Sequence, residues 1–468
     1  WKLAAKVAET TWIRVLAGLG FAFWPALQQA QHDGRLTAII SGLAAPWLVI
    51  ALLRVAQIGR MTRSSAQSWT WVANAGLLTA IIGASTPSLV PLIVLALAVV
   101  AVVRIRRFGY LIWVGLPLAA LYGPTFLYYL INVNNPLAVL ADPGLAAPSA
   151  TAPFFDFFGL VVAGLVALVA LFAILRKRIF LAFSGWVFVL MAVASAYLMS
   201  ALSFPAVGVG QASLETVNGS PAALLTVAGL GLILLAAIAI DGIPARNARR
   251  VIAGLATMLI VIPGLALSVL TPVRVSYSDG RVVPSIVAAE AEQGSNLKLL
   301  VLTPSSDSAG NKRLAAELVA GDGVHLDDIS LAYRFSIAAL AGERYSEIAQ
   351  LVADLVSANG TPISERLQKQ HIGYVLVPNG TASGLSDLGI ALDSVSELET
   401  VGATDLGRLW RVREPLAATD ETSSSPWSIT KAVQVSVLLG YLLMALPSRS
   451  SRRRGNEEIF IESGEDSQ

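Results

Sequence analysis

The sequence predicts a polytopic α-helical membrane protein of about ten transmembrane helices, with an extracytoplasmic α/β domain inserted between the last two. Three observations lead there. Of 468 residues, 55% are hydrophobic and 14% charged, and mean hydropathy is +0.67; a soluble globular chain carries about a quarter charged residues. Ten apolar stretches approach or reach the ~20 residues that cross ~30 Å of hydrocarbon. Between 273 and 426, by contrast, the composition is that of an ordinary soluble domain. The chain has no cysteine, which excludes disulfides and thiolate metal sites, and three histidines leave little for a histidine-built cluster. A net charge of +2 says little because the arginines are segregated, and no nucleic-acid partner is expected.

The chain opens on Trp1 with no signal-peptide pattern, and is read as a fragment or a processed product whose preceding residues are missing. The expected spans are Trp12–Ala30, Leu36–Ala56, Trp69–Thr86, Pro87–Val103 and Gly109–Ile131. They continue with Phe154–Leu175, Ile179–Ala201, Pro221–Ile240, Val251–Leu270 and Ser428–Leu446. A turn near Ser85-Thr86-Pro87 makes the third and fourth a tight pair. The first nine form a transmembrane region over 1–272, the tenth occupies 427–447, and 448–468 is a basic-then-acidic cytoplasmic tail.

Sidedness follows from the arginines. Lys2, Lys6 and Arg14 precede the first span; Arg54, Arg60 and Arg63 close the second. Arg104, Arg106 and Arg107 follow the fourth, 176–178 the sixth, Arg246, Arg249 and Arg250 the eighth, and Arg449 with 452–454 the last. Alternating faces puts all of these on one side, which the positive-inside rule makes cytoplasmic. Loops Gln31–Arg35, Asn132–Pro153 and Phe204–Ser220 and the domain 273–426 fall outside, in a protein of the bacterial plasma membrane. Ionisable residues mark ion paths inside spans; here Arg14, Asp156 and Lys431 lie near span ends, which disfavours transport. Small residues at Gly18/Gly20, Gly159/Gly164 and Gly229/Gly231 suit close helix packing.

Within the inserted domain, Lys298–Thr303 and Gly373–Val377 read as buried strands. Lys312–Ala320 reads as a helix, as do Ser364–Gln370 and Arg344–Ser357, which places Ile348, Leu351, Val352, Leu355 and Val356 on one face. Leu398–Val401 and Arg408–Val412 read as a terminal hairpin. Strands alternating with helices imply a small sheet with helices packed on it.

Chemical motifs are few. His32-Asp33-Gly34-Arg35, in the first outward loop, offers a carboxylate base beside a histidine and a phosphate-binding arginine; the plain alternative is an Asp-Gly turn. Asp142-Pro143-Gly144 is a turn, and Asp156 lies between Phe155 and Phe157. Gly208-Val-Gly210-Gln211 and Gly229-Leu-Gly231 lack the strand–turn–helix setting of a nucleotide loop. Asp327-Asp328 after His325 resembles a paired-carboxylate metal site, with a solvated turn as the plainer reading. Asn218, Asn359 and Asn379 each begin an Asn-Gly-Ser/Thr triplet that turn chemistry explains.

Several patterns together resemble the C-terminal membrane half of large actinobacterial family-2 glycosyltransferases. They are Ala26-Leu27 with His32-Asp33-Gly34-Arg35-Leu36, Asn135–Leu145, and Ala236–Gly242. In the domain they are Glu365-Arg366-Leu367 with His371–Val377, and Val401–Asp405 with Leu409–Val412. The resemblance implies a cell-envelope glycosyltransferase whose nucleotide-sugar domain, with its divalent metal, precedes Trp1 on the cytosolic side. No cofactor is then expected in this stretch. The expected partners are membrane lipids and a polyprenyl-linked or glycan acceptor. Two alternatives stand beside it. One is a polyprenyl-phosphate-sugar-dependent enzyme with an outer-face site built from Asp33, His32 and Arg35. The other is a non-enzymatic scaffold whose outer domain binds an envelope protein.

Overall fold

The computed structural model describes residues 1–56, 65–103, 105–132, 139–140, 152–175, 179–207, 214–270, 283–292, 297–306, 312–321, 348, 350–357, 363–379, 385–413 and 426–446. It is mostly helical, with one small hairpin and one five-stranded sheet. In chain order the α-helices begin with α1 (Thr11–Ala22), α2 (Pro25–His32), α3 (Leu36–Val55), α4 (Ser65–Ser85), α5 (Val90–Val103) and α6 (Phe108–Asn132). They continue with α7 (Ala152–Leu171), α8 (Ile179–Ala201), α9 (Ala222–Asp241) and α10 (Arg246–Leu270). Among the described residues, four stretches are long and apolar enough to cross a membrane: Leu36–Val55, Phe108–Leu127, Leu181–Ala201 and Ala222–Asp241. Pro87–Val102, Gly159–Leu175 and Ile429–Ala445 are apolar but shorter. These helices mark the chain as membrane-associated. Their outer faces agree: Leu160 is 74% exposed and Leu443 70%, a display that water would penalise and hydrocarbon would not.

The expected continuous span Trp12–Ala30 is broken. Trp24 precedes Pro25 and adopts ψ 131°, so α1 stops and α2 restarts with proline in its first turn. The residue before proline is pushed out of the helical region by the ring's Cδ. The break turns Trp24 inward. A Cβ on Gly229 would stand 2.2 Å from its indole, and its Nε1 donates to the Leu225 carbonyl at 3.2 Å.

Helix α9 is the hub. It has the highest hydropathy of the four, 2.7, and 83% of it is buried inside the molecule. Small residues make that possible. A Cβ at Gly231 would meet Val189 of α8 at 2.7 Å, and at Gly185 of α8 it would meet Leu235 of α9 at 2.8 Å. Gly20 and Gly159 have looser neighbours, and Gly164 faces open space, so close approach is confined to part of the expected set. The last helix, α15 (Pro426–Ala445), returns beside α4 and α6. Tyr441 there donates to the Trp113 carbonyl at 2.5 Å and lies against Gly76. Gln434 donates to the Ala120 carbonyl at 3.2 Å, occupying an acceptor opposite Pro124 within α6.

Between α10 and α15 in the chain lie α11 (Ser285–Ala291), β3 (Lys298–Ser306), β4 (Lys312–Ala320), α12 (350–357), α13 (Ser364–Lys369), β5 (Ile372–Pro378), α14 (Leu385–Asp393), β6 (Leu398–Ala403) and β7 (Gly407–Val412). The sheet order is β4-β3-β5-β7-β6, with β3 and β5 parallel and the other pairs antiparallel. Both faces are covered. Leu300, Leu302, Val375, Val377 and Trp410 share one core with Leu351, Leu355, Leu367 and Leu392 of the helices. Leu299, Tyr374, Leu376 and Leu409 point the other way and pack with Val287 of α11. A sheet buried on both faces needs near-continuous apolar strands, which is why Gly373–Val377 reads so clearly.

Three expectations fail here. Lys312–Ala320 is a strand, not a helix: it pairs along its whole length with β3, and Leu314, Ala316 and Leu318 alternate onto the sheet core. Phe204–Ser220 is not a plain loop, since β1 (Ser203–Val207) and β2 (Leu214–Asn218) form an antiparallel hairpin. Helices α11 and α14 were not anticipated at all. The strands 298–303, 373–377 and the hairpin 398–412 form as expected, and so does the helical face from Ile348 to Val356.

Candidate functional site

His32-Asp33-Gly34-Arg35 is the C-terminal cap of α2. Asp33 is the capping residue and Gly34 takes φ +68°, the left-handed conformation that lets the chain leave a helix without a Cβ clash. The Arg35 amide then reaches back to the Ala30 carbonyl at 2.8 Å, and the Gly34 amide to Gln31 at 3.2 Å. The turn is thus fixed by helix-end hydrogen bonding. His32 is 7% exposed, and its Nδ1 lies 3.7 Å from Asp33 Oδ1, too long for a hydrogen bond. Asp33 Oδ1 is buried and has no hydrogen-bond partner among the described residues. Arg35 is partly exposed on the next turn of chain. The fold therefore brings His32 and Asp33 together, with Arg35 as a neighbour in sequence. A carboxylate oxygen without a donor keeps its lone pairs free to accept a proton, as a general base must. An unpaired buried oxygen costs stability unless something supplies a donor.

Three other polar groups are organised, and none was singled out as a site by the sequence. At the opposite end of α9, Asp241 accepts the Glu9 amide at 2.6 Å and the Thr10 hydroxyl at 2.5 Å. Arg14 donates to the Ala8 and Glu9 carbonyls at 3.0 and 2.6 Å. Arg249 reaches the Asp241 carbonyl at 3.4 Å. These contacts tie the first residues of the chain to the α9–α10 turn. Only the Asp241-Gly242 dipeptide hinted at them.

In the sheet region, Tyr374 donates to Glu290, which also receives Arg411 at 2.9 Å. Burial, then the hydrogen bond and charge of Glu290, push the Tyr374 phenol up to about 12 against the opposing pull of Arg411. On the other face, Asp393 accepts Trp410 Nε1 at 2.9 Å, Thr400 at 2.9 Å and Arg408 at 2.7 Å. The indole hydrogen bond, with help from Thr400 and Arg408, outweighs burial and holds its carboxyl below the usual range. Both are locks on core aromatics rather than open sites.

Asp142-Pro143-Gly144, the Asp156 side chain, Gly208–Gln211, His325, Asp327-Asp328, Asn359 and the arginines at 60, 63, 104, 176, 178, 449 and 452–454 lie outside the described residues. Gly229 and Gly231 serve helix packing, and Asn379, just past β5, donates to the Asp405 carbonyl of the β6–β7 turn at 3.2 Å. Among the described residues no three of His, Cys, Asp and Glu converge as metal ligands. Compared with protein-family models, with curated proteins and with solved structures, the chain gives no match.

Proposed function

We propose that this chain is the membrane portion of a cell-envelope glycosyltransferase that transfers sugar to a lipid-linked or glycan acceptor. The observation that carries the reading is the order of parts: apolar helices, an independent two-faced α/β sheet, then one returning helix. It is joined by the patterns shared with family-2 glycosyltransferases. On this reading all ten apolar stretches span the bilayer, the first through the broken α1–α2 pair. Both chain ends and the arginine clusters are cytosolic, and 273–426 is extracytoplasmic. A nucleotide-sugar domain before Trp1 supplies the chemistry, and the spans hold it beside its acceptor. Full-length protein assayed with a panel of nucleotide sugars and membrane lipids tests it. Transfer to lipid or glycan is expected; no transfer with any donor overturns it.

A second reading rests on Asp33. Its shielded, donor-less oxygen beside His32 suits an outer-face base acting on a polyprenyl-phosphate sugar. Asp33→Asn then abolishes glycan synthesis while protein level is kept; undiminished synthesis removes this version and leaves the first standing. If the outer domain captures only proteins and no sugar transfer is detected, the chain is a scaffold.

A further inference from the structure

Helices α1, α7, α9 and α10 enclose an apolar cavity of about 410 Å³. Its walls include Ile13, Ala17, Val166, Ala237, Ala256 and Ile260. That volume falls within the roughly 300–1,000 Å³ of ligand sites. The lining residues come from most of the length of α1, from the middle of α10 and from the final halves of α7 and α9. The cavity therefore runs toward the end of the bundle where Asp241 gathers the N-terminal residues, reaching Ile240 and Ile13. Its mouth is sideways: Leu255 is 64% exposed, Leu165 39% and Ile252 38%.

The lining itself holds no charge, but a cation stands one turn before it on α10. Arg249 lies one turn before Ile252 and Ala253 on the same stripe of α10. Its guanidinium makes one long contact, to the Asp241 carbonyl, and its buried Nε has no hydrogen-bond partner among the described residues. The carboxylates at this end are Asp241, already held by the Glu9 amide and Thr10, and exposed Glu9. Lys6, Arg14 and Arg250 outnumber them together with Arg249. An apolar slot open to the side, with an under-satisfied guanidinium one helical turn beyond its lining, matches a hydrocarbon chain ending in an anionic phosphodiester head group.

We propose that this cavity is a binding site for an anionic phospholipid of the surrounding bilayer, one acyl chain lying between α1, α7, α9 and α10 and the phosphate on Arg249. The site needs only that these helices lie in a bilayer, so it stands apart from the sugar-transfer reading. Native mass spectrometry of the full chain in detergent, titrated with phosphatidylglycerol, phosphatidylcholine or glycerol phosphate, tests it. One saturable phosphatidylglycerol is expected, bound about tenfold more tightly than phosphatidylcholine, whose choline cation cancels the net charge that Arg249 and its basic neighbours attract. Glycerol phosphate, which has no chain, should not bind. Arg249→Gln should bring the two lipids level, and Ala256→Phe should weaken both by filling the slot. Should Ala256→Phe not fold, Leu255→Trp at the exposed mouth serves instead. Equal binding of both lipids to the unaltered chain, an unchanged preference in Arg249→Gln, or glycerol phosphate binding as tightly as the lipid would overturn the assignment.

Discussion

The helical bundle and the five-stranded sheet bury their largest side chains in opposite ways. In the bundle, aromatic groups enter because the facing helix lacks a side chain: Trp24 sits on Gly229 and Tyr441 on Gly76. Their polar tips then donate to main-chain carbonyls, of Leu225 and Trp113. In the sheet, Trp410 and Tyr374 are fully buried among ordinary apolar neighbours, and their tips meet the carboxylates Asp393 and Glu290. The difference follows from the solvent. Hydrocarbon gives no hydrophobic drive between helices, so contact depends on shape and on satisfied polar atoms. Water drives the sheet's core together, and partly hydrated carboxylates at its margin accept the hydrogen bonds of the buried tips.

The contrast is breakable. Trp410→Ala should have the largest effect, about 4 kcal/mol from lost burial plus cavity. Hydrogen exchange should accelerate in β3, β5 and β7 while α9 stays protected. Gly229→Ala is the mirror test. Its new methyl collides with a rigid indole, and overpacking of this kind costs about 3 kcal/mol. Thermal unfolding should shift with the bundle exposed first, whereas Gly164→Ala, with nothing within 4 Å, should be neutral.

Two titrations sharpen the comparison further. Asp393 has a lowered folded pKa, so its contribution is complete above the ordinary value of 3.8 and fades as pH falls through the lower folded one. Asp393→Asn should cost about 1 kcal/mol at neutral pH and remove that acid limb from a chemical-denaturation series. Tyr374 behaves in reverse. Its folded pKa is raised from 10.0 to about 12, so the stability it adds is full below 10.0 and is lost as pH rises toward 12. Tyr374→Phe should cost about 1 kcal/mol and flatten the alkaline side. Neither substitution should alter exchange in the bundle.

What the sequence disclosed follows the same divide. Apolar helices and the strands buried on two faces declare themselves through uninterrupted Ile, Leu and Val. Lys312–Ala320 misled because Lys, Arg, Ala, Glu and Leu favour helices. Pairing with β3 along nine residues overrides that preference. The break at Pro25 was written in the sequence but masked by apolar residues on both sides of it. At the candidate site, the His-Asp-Gly-Arg turn was visible. The shielding of one Asp33 oxygen depends on how α2 packs, and no local pattern carries that. The Thr10–Asp241 contact joins residues 231 apart, beyond any window of periodicity.

Helix α9 touches α1, α2, α3, α7, α8 and α10, yet all but the last of these are synthesised before it. Until residue 241 has left the ribosome, the early helices surround a gap with no occupant. A nascent chain halted before Ala222 would expose the glycine-sized recess at Gly185 and the Trp24 indole to lipid. Such a truncated product lacks its axle, and membrane quality-control proteases would meet it as a loose ring of helices.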